Sequence, residues 1–235
     1  MPEEIFRSGH LVMSGSPVPY QEQAAAWGDY LTNDILMVLA VFLVLLNLLD
    51  YFKILPIILD CYSRTRASSE LEHSVSTSRI RNTTALVLAV PFCLIVDRFG
   101  IYSPDLLESV NPLWQAPVIF GVLAAFLFVR AVFRFFFGPK MRGETRSTII
   151  NLLYTYFIGM ASLMIVTTGI IALFNISDVA ACVILTWEIF IFYFLFIVRD
   201  IQILSQHFSG LSTILYLCGL ELIPAAVLVA SAVLL

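Results

Sequence analysis

Three carboxylates stand inside otherwise apolar stretches of this chain: Asp50, Glu188 and Glu221. Glu221 is the most isolated, lying in Tyr216-Leu217-Cys218-Gly219-Leu220-Glu221-Leu222-Ile223-Pro224 with no charged residue for ten positions on either side. Lys53, Arg130 and Arg134 are cations in comparable settings. A carboxylate among hydrocarbon side chains can relay protons or ions, or it can lock helices together through an ion pair, because an unpaired buried charge is costly. Nucleophilic chemistry has less support. Tyr216 and Cys218 have no histidine near them in sequence and read as packing residues. Ser/His pairs of the rhomboid kind, paired aspartates and His-Glu-x-x-His are all missing from the apolar stretches. No C-x-x-C links Cys61, Cys93, Cys182 and Cys218; His10 and His73 lie in polar segments and His207 in an expected short loop. The expectation is therefore a protein that is not an enzyme and holds neither metal nor cofactor.

What must position these charges follows from composition. The chain is 60% hydrophobic and only 13% charged, where soluble domains carry about 25% charged residues; its mean hydropathy is +0.92. Several runs reach the roughly 20 apolar residues that cross a bilayer as a helix, and none alternates with the period of two that a membrane barrel needs. The fold class is an all-α integral membrane protein, with the lipid bilayer as its first partner. A net charge of −4 leaves no footprint for nucleic acid.

Six transmembrane helices are expected, at about 35–58, 83–102, 113–137, 148–174, 179–198 and 213–235, after a polar tail over 1–33. The tail lacks the charged start and apolar core of a signal peptide. Asp50 and Lys53 are three apart, so an ion pair within the first span is expected. The stretch from Asp60 to Asn82 reads as either a short amphipathic helix or a loop. The second span is the weakest, interrupted by Pro91 and losing its apolar character at Asp97 and Arg98. Thr155, Gly159, Ser162 and Gly169 form a stripe of small residues on the fourth, suited to close approach of another helix within or outside the bundle. Asn175 to Asp178 makes a tight hairpin into the fifth span, and Arg199 to Gly210 turns the chain toward the sixth. Pro224 reads as a kink that frees a backbone carbonyl.

Basic residues concentrate on the cytoplasmic side of membrane proteins. With six spans and the N-terminus outside, all 13 Lys and Arg except Arg7 and Arg98 fall on or near the inner side. Omitting the second span would put the cluster from Arg130 to Arg146 opposite that from Arg64 to Arg81 and destroy the asymmetry. Both termini are thus expected outside. Counting 1.5 Å per residue from the inner surface puts Glu221 and Asp50 about 12 Å deep, Glu188 about 15 Å and Arg130 about 10 Å. Lys53 and Arg134 are shallower and can snorkel. These six form a neutral layer in the cytoplasmic half, with Asn151, Tyr154 and Tyr216 at similar depth. One reading is a structural lock, the buried carboxylates pairing with Arg130 and Arg134; another is an ion or proton path, or a polar-ligand site, entered from the cytoplasm; a third leaves one or more of these residues exposed at an interface with a partner.

The box Leu215-Tyr216-Leu217-Cys218-Gly219-Leu220-Glu221-Leu222-Ile223-Pro224 resembles the C-terminal signature, approximately Leu-Tyr-Leu-Cys-x-Leu-Glu-x-x-Pro, of a family of Bacteroidota inner-membrane proteins of unknown function. Arg130 and Arg134 before a Gly turn are similar to that family too. The resemblance covers about a twentieth of the chain and carries no activity. It implies a bacterial inner membrane with a periplasm outside, and it marks Tyr216, Cys218, Glu221 and Pro224 as motif positions. The resulting expectation is a non-enzymatic subunit or assembly factor of an envelope complex, with a protein partner or a second copy of itself. The alternative is a small ion- or proton-coupled transporter using Glu221 and Glu188.

Overall fold

A computed structural model of the chain describes residues 30–63, 75–104, 110, 112–137, 143–207 and 210–234. Among these residues every regular element is helical: α1 Leu31–Ser63, α2 Val75–Arg98, α3 Pro112–Phe137, α4 Gly143–Phe174, α5 Asp178–His207, α6 Gly210–Leu217, a π-helical turn Cys218–Leu222, and α7 Ile223–Leu234. Five of the helices, α1 to α5, are long and apolar enough to cross a membrane. The expected polar tail lies outside the described residues up to position 29, and its last three residues begin α1.

The helix that looked weakest in sequence is the centre of the bundle. α2 packs against α1, α3 and α4. Half of its most apolar window is buried by protein, against 11% for α1, and its mean hydropathy there is 1.5 against 2.5. A helix surrounded by other helices has little lipid-facing surface to cover, so it tolerates polar residues that an outer helix does not. It also runs earlier than expected, from Val75, and stops at Arg98. Gly100 at φ 58° ends it, with the Ile101 amide donating back to the Val96 carbonyl at 3.0 Å. That left-handed residue after the last turn is the usual helix stop, and glycine enters it without strain.

The hairpin from α4 to α5 uses the same device. Asn175 has φ 49° and the Ile176 amide donates to the Ile171 carbonyl at 3.2 Å; asparagine is the non-glycine residue that tolerates this conformation best. The expected loop from Arg199 to Gly210 is largely absent, since α5 continues to His207. Its extra turns bury Asp200, Ile203 and Leu204, so packing against α4 extends the helix beyond the span that hydropathy marks.

The stripe on α4 serves the interior at Thr155, which is buried, and at Gly159. A Cβ added to Gly159 would collide with the Tyr62 hydroxyl and stand 3.2 Å from Phe192, whereas one on Gly169 meets nothing within 4 Å. Tyr62 therefore enters α4 where the side chain is missing, and its hydroxyl donates to the Thr155 carbonyl at 3.4 Å. Its ring meets Tyr156 and Phe192 edge-on, at 4.8 and 6.2 Å between centroids. This aromatic joint ties α1, α4 and α5 together.

Candidate functional site

The C-terminal segment is not one uniform helix. Eight α-helical residues, five π-helical residues and twelve α-helical residues follow in sequence. In the π turn the Ile223 amide bonds back five residues to the Cys218 carbonyl. Pro224 supplies the local reason. Its ring crowds the carbonyl four residues earlier and it donates no N–H, so a wider turn just before it relieves the crowding. Such turns recur at functional sites.

Glu221 sits in this turn. It is 2% exposed, Arg130 of α3 is 4% exposed, and the two form an ion pair. The guanidinium also lies over the Phe196 ring of α5, 5.1 Å from its centroid, a favourable placement of a cation on a π face. From the same helix the Tyr193 hydroxyl donates to the Glu221 backbone carbonyl at 3.0 Å. Three elements, α3, α5 and the π turn, thus meet on one charged pair. The pair is neutral as a unit, which is how a membrane interior accommodates ionised groups.

The other members of the expected layer are not gathered there. Asp50 and Lys53 pair with each other at 2.8 Å, on a face of α1 where their side chains are 46% and 65% exposed. Their placement in a buried layer is corrected: three-residue spacing joins them along one helix face, and that face turns away from the bundle. Glu188 is also elsewhere. Thr167 of α4 donates to its Oε1 across the hairpin, and its Oε2 is buried with no hydrogen-bond partner among the described residues. Glu188 precedes Phe196 by two turns of α5, about 12 Å along the axis. The expectation of one level for all three carboxylates therefore gives way to three separate arrangements. The side chain of Arg134 lies outside the described residues. Of the remaining motif positions, Pro224 is buried, Tyr216 is half-buried against the α4–α5 core, and Cys218, expected to pack, is exposed.

Two further charged groups that sequence reasoning passed over are fully enclosed. Arg81 of α2 is 1% exposed and donates to Oδ1 of Asn151 on α4. Asp200 of α5 is 0% exposed and lies within electrostatic reach of Tyr193. Arg79 looks equivalent to Arg81 in sequence but is exposed; residues two apart on a helix face opposite ways, and only the position of α4 decides which of them is enclosed.

Two cavities of about 240 and 300 Å³ lie along α1, α2 and α4 and share Val44 and Ile165 in their linings. Neither is lined by Glu221 or Glu188. Comparison with family models, curated proteins and solved structures returns no match.

Proposed function

We propose that the chain is a six-span protein of a bacterial inner membrane, with both termini outside, acting as a non-enzymatic subunit or assembly factor of an envelope complex. The observation that carries this reading is the enclosure of Glu221 by Arg130. The most isolated carboxylate of the sequence is joined to a cation of another helix and serves the packing of the bundle. A sixth crossing is supported by the near-continuous helical path from Gly210 to Leu234, whose 8, 5 and 12 residues amount to about 37 Å, against a hydrocarbon core of about 30 Å. The orientation rests on the distribution of Lys and Arg, and the bacterial inner membrane on the resemblance of the terminal box.

A docking partner is supported by the outer helices. In the most apolar window of α1 only 11% is buried, and Leu31, Val38 and Leu49 are among its most exposed side chains. Such a face suits lipid or a second helix. Purification in mild detergent is expected to co-isolate a stoichiometric partner or a homo-oligomer. Repeated recovery of the monomer alone would sink the proposal. Protease-accessible tags at the two ends test the orientation, both being cut from outside in intact spheroplasts.

Two observations favour a second reading, an ion- or proton-coupled transporter. Glu188 keeps one carboxyl oxygen without a partner among the described residues, and the π turn before Pro224 interrupts a helix that carries an acid, as transporters do near the midplane. Reconstituted vesicles would then show a flux that Glu188→Gln and Glu221→Gln abolish. Unchanged flux in folded variants removes this reading.

A further inference from the structure

The two cavities along α1, α2 and α4 are parts of one groove, since Val44 and Ile165 line both. The way three helices meet creates it. α1 and α4 each lie along α2, and they meet each other near one end, where Ile54 and Ile58 of α1 share a buried cluster with Ile158 and Ala161 of α4 and Tyr62 enters beside Gly159. Away from that end the two helices part. Short side chains there, Ala40 of α1, Thr84 of α2 and Ser162 of α4, leave the gap unfilled. The floor is the buried face of α2, with Leu88, Leu94 and Ile95; the rims are exposed, Val41 and Leu45 on α1 and Val166 on α4. The groove therefore opens sideways, along the surface that faces lipid.

Its length and the chemistry of its two ends narrow the occupant. It runs from Met37 to Tyr51 along α1 and from Arg98 to Thr84 along α2, about 21 Å on either helix. That is half of the roughly 40–45 Å of a bilayer with its headgroup regions. Arg98 stands at one end, exposed, in the last turn of α2 before the stop at Gly100. It is the one charged residue in the linings of the two cavities. At the other end the Thr84 hydroxyl donates to Oδ1 of Asn47 at 3.4 Å and the Ser162 hydroxyl to the Ile158 carbonyl at 2.6 Å, while Nδ2 of Asn47 is enclosed by protein. Polar groups engaged or enclosed in this way leave mainly hydrocarbon as the surface offered to a ligand. An empty apolar groove forfeits dispersion contacts along its walls, and an apolar chain recovers them.

We infer that the groove holds one acyl chain of an anionic phospholipid, with the phosphate of the headgroup at Arg98 and the end of the chain beside Tyr51 and Thr84. Guanidinium N–H groups match phosphate oxygens in geometry and charge, and a basic residue at headgroup level favours an anionic over a zwitterionic lipid by about fivefold. The inference needs only that the bundle lies in a membrane, and it is independent of the side on which α2 ends.

The test uses the purified full-length chain in uncharged detergent. Thermal unfolding is followed with added phosphatidylglycerol, phosphatidylcholine or inorganic phosphate. Phosphatidylglycerol is expected to raise the midpoint by about 2–4 °C, phosphatidylcholine to raise it less, and inorganic phosphate, which has no chain, to leave it unchanged. Val44→Phe and Ser162→Leu fill the groove from opposite walls, and each is expected to lose the lipid response; either is decisive if the other fails to fold. Arg98→Gln is expected to keep a response to both lipids and to make the two equal. The site is overturned by a wild-type chain that ignores phosphatidylglycerol, by an equal rise from inorganic phosphate, by a full lipid response in a folded groove-filling variant, or by an undiminished preference for phosphatidylglycerol in Arg98→Gln. A chain that dimerises without lipid and becomes monomeric in Val44→Phe would overturn it too, because the groove would then belong to a second copy.

Discussion

Tyr193 and Glu221 are joined through the backbone: the tyrosine hydroxyl on α5 donates to the carbonyl of the residue whose carboxylate pairs with Arg130. Side chain and main chain of Glu221 are therefore held by different helices. The π turn that presents Glu221 is fixed at both its acid and its backbone, and the last helix cannot rotate without breaking one of the two contacts.

Removing one half of the ion pair leaves the other as an uncompensated charge in a dry interior. Glu221→Ala and Arg130→Ala are each expected to destabilise the bundle by about 3–5 kcal/mol, read as a lowered unfolding temperature in detergent. The double replacement Arg130→Met with Glu221→Leu removes both charges together. It is expected to recover most of the loss, because apolar residues of similar size substitute well for a buried pair. A double variant as unstable as the singles would show that the pair is not the lock.

Tyr193→Phe deletes one hydroxyl and leaves the ring, which packs against Phe196 at 6.4 Å between centroids. A loss of about 0.5–1.5 kcal/mol is expected. Combining it with Glu221→Ala is expected to be less than additive, since both act on one turn. Strict additivity in this double-mutant cycle would separate the two contacts.

Gly159→Ala places a methyl group where the Tyr62 hydroxyl lies. Overpacking of this kind costs about 1–3 kcal/mol, and a fall in unfolding temperature is expected. Gly169→Ala on the same helix meets open space and is expected to be neutral or slightly stabilising, as alanine is the better helix former. Equal effects at the two positions would contradict the placement of Tyr62.

Lys53→Gln and Asp50→Asn break an ion pair whose members are 65% and 46% exposed. With the span in lipid, each single variant leaves its former partner as a lone charge, so each is expected to lower the unfolding temperature in a bilayer, and the double replacement Asp50→Asn with Lys53→Gln is expected to recover most of the loss. A double variant as unstable as the singles would show that the two side chains do not neutralise each other.

The amino-acid sequence by itself determined the class of the protein and most of its elements. Runs of leucine, valine, isoleucine and phenylalanine long enough to span hydrocarbon leave helices as the only open-chain solution, since every backbone N–H and C=O must be satisfied within the segment. The helical stop at Asn175 and the break around Pro224 are equally local, because backbone geometry acts on a few neighbouring residues. The pairing of Asp50 with Lys53 follows from spacing along one helix in the same way.

Tertiary structure alone decided which charges meet and which helix is central. Depth counted along a chain places residues on a level and leaves their direction around the helix axis open, so Glu188 and Glu221 looked alike until α4 gave Thr167 to one and α3 gave Arg130 to the other. The enclosure of Arg81 beside the exposed Arg79 is the sharpest case. Hydropathy treats the two as equivalent charges at a helix end, and the difference arises only when α4 packs against one face of α2. Burial is a property of neighbours brought from far along the chain, and for a charge in a membrane protein those neighbours set its role.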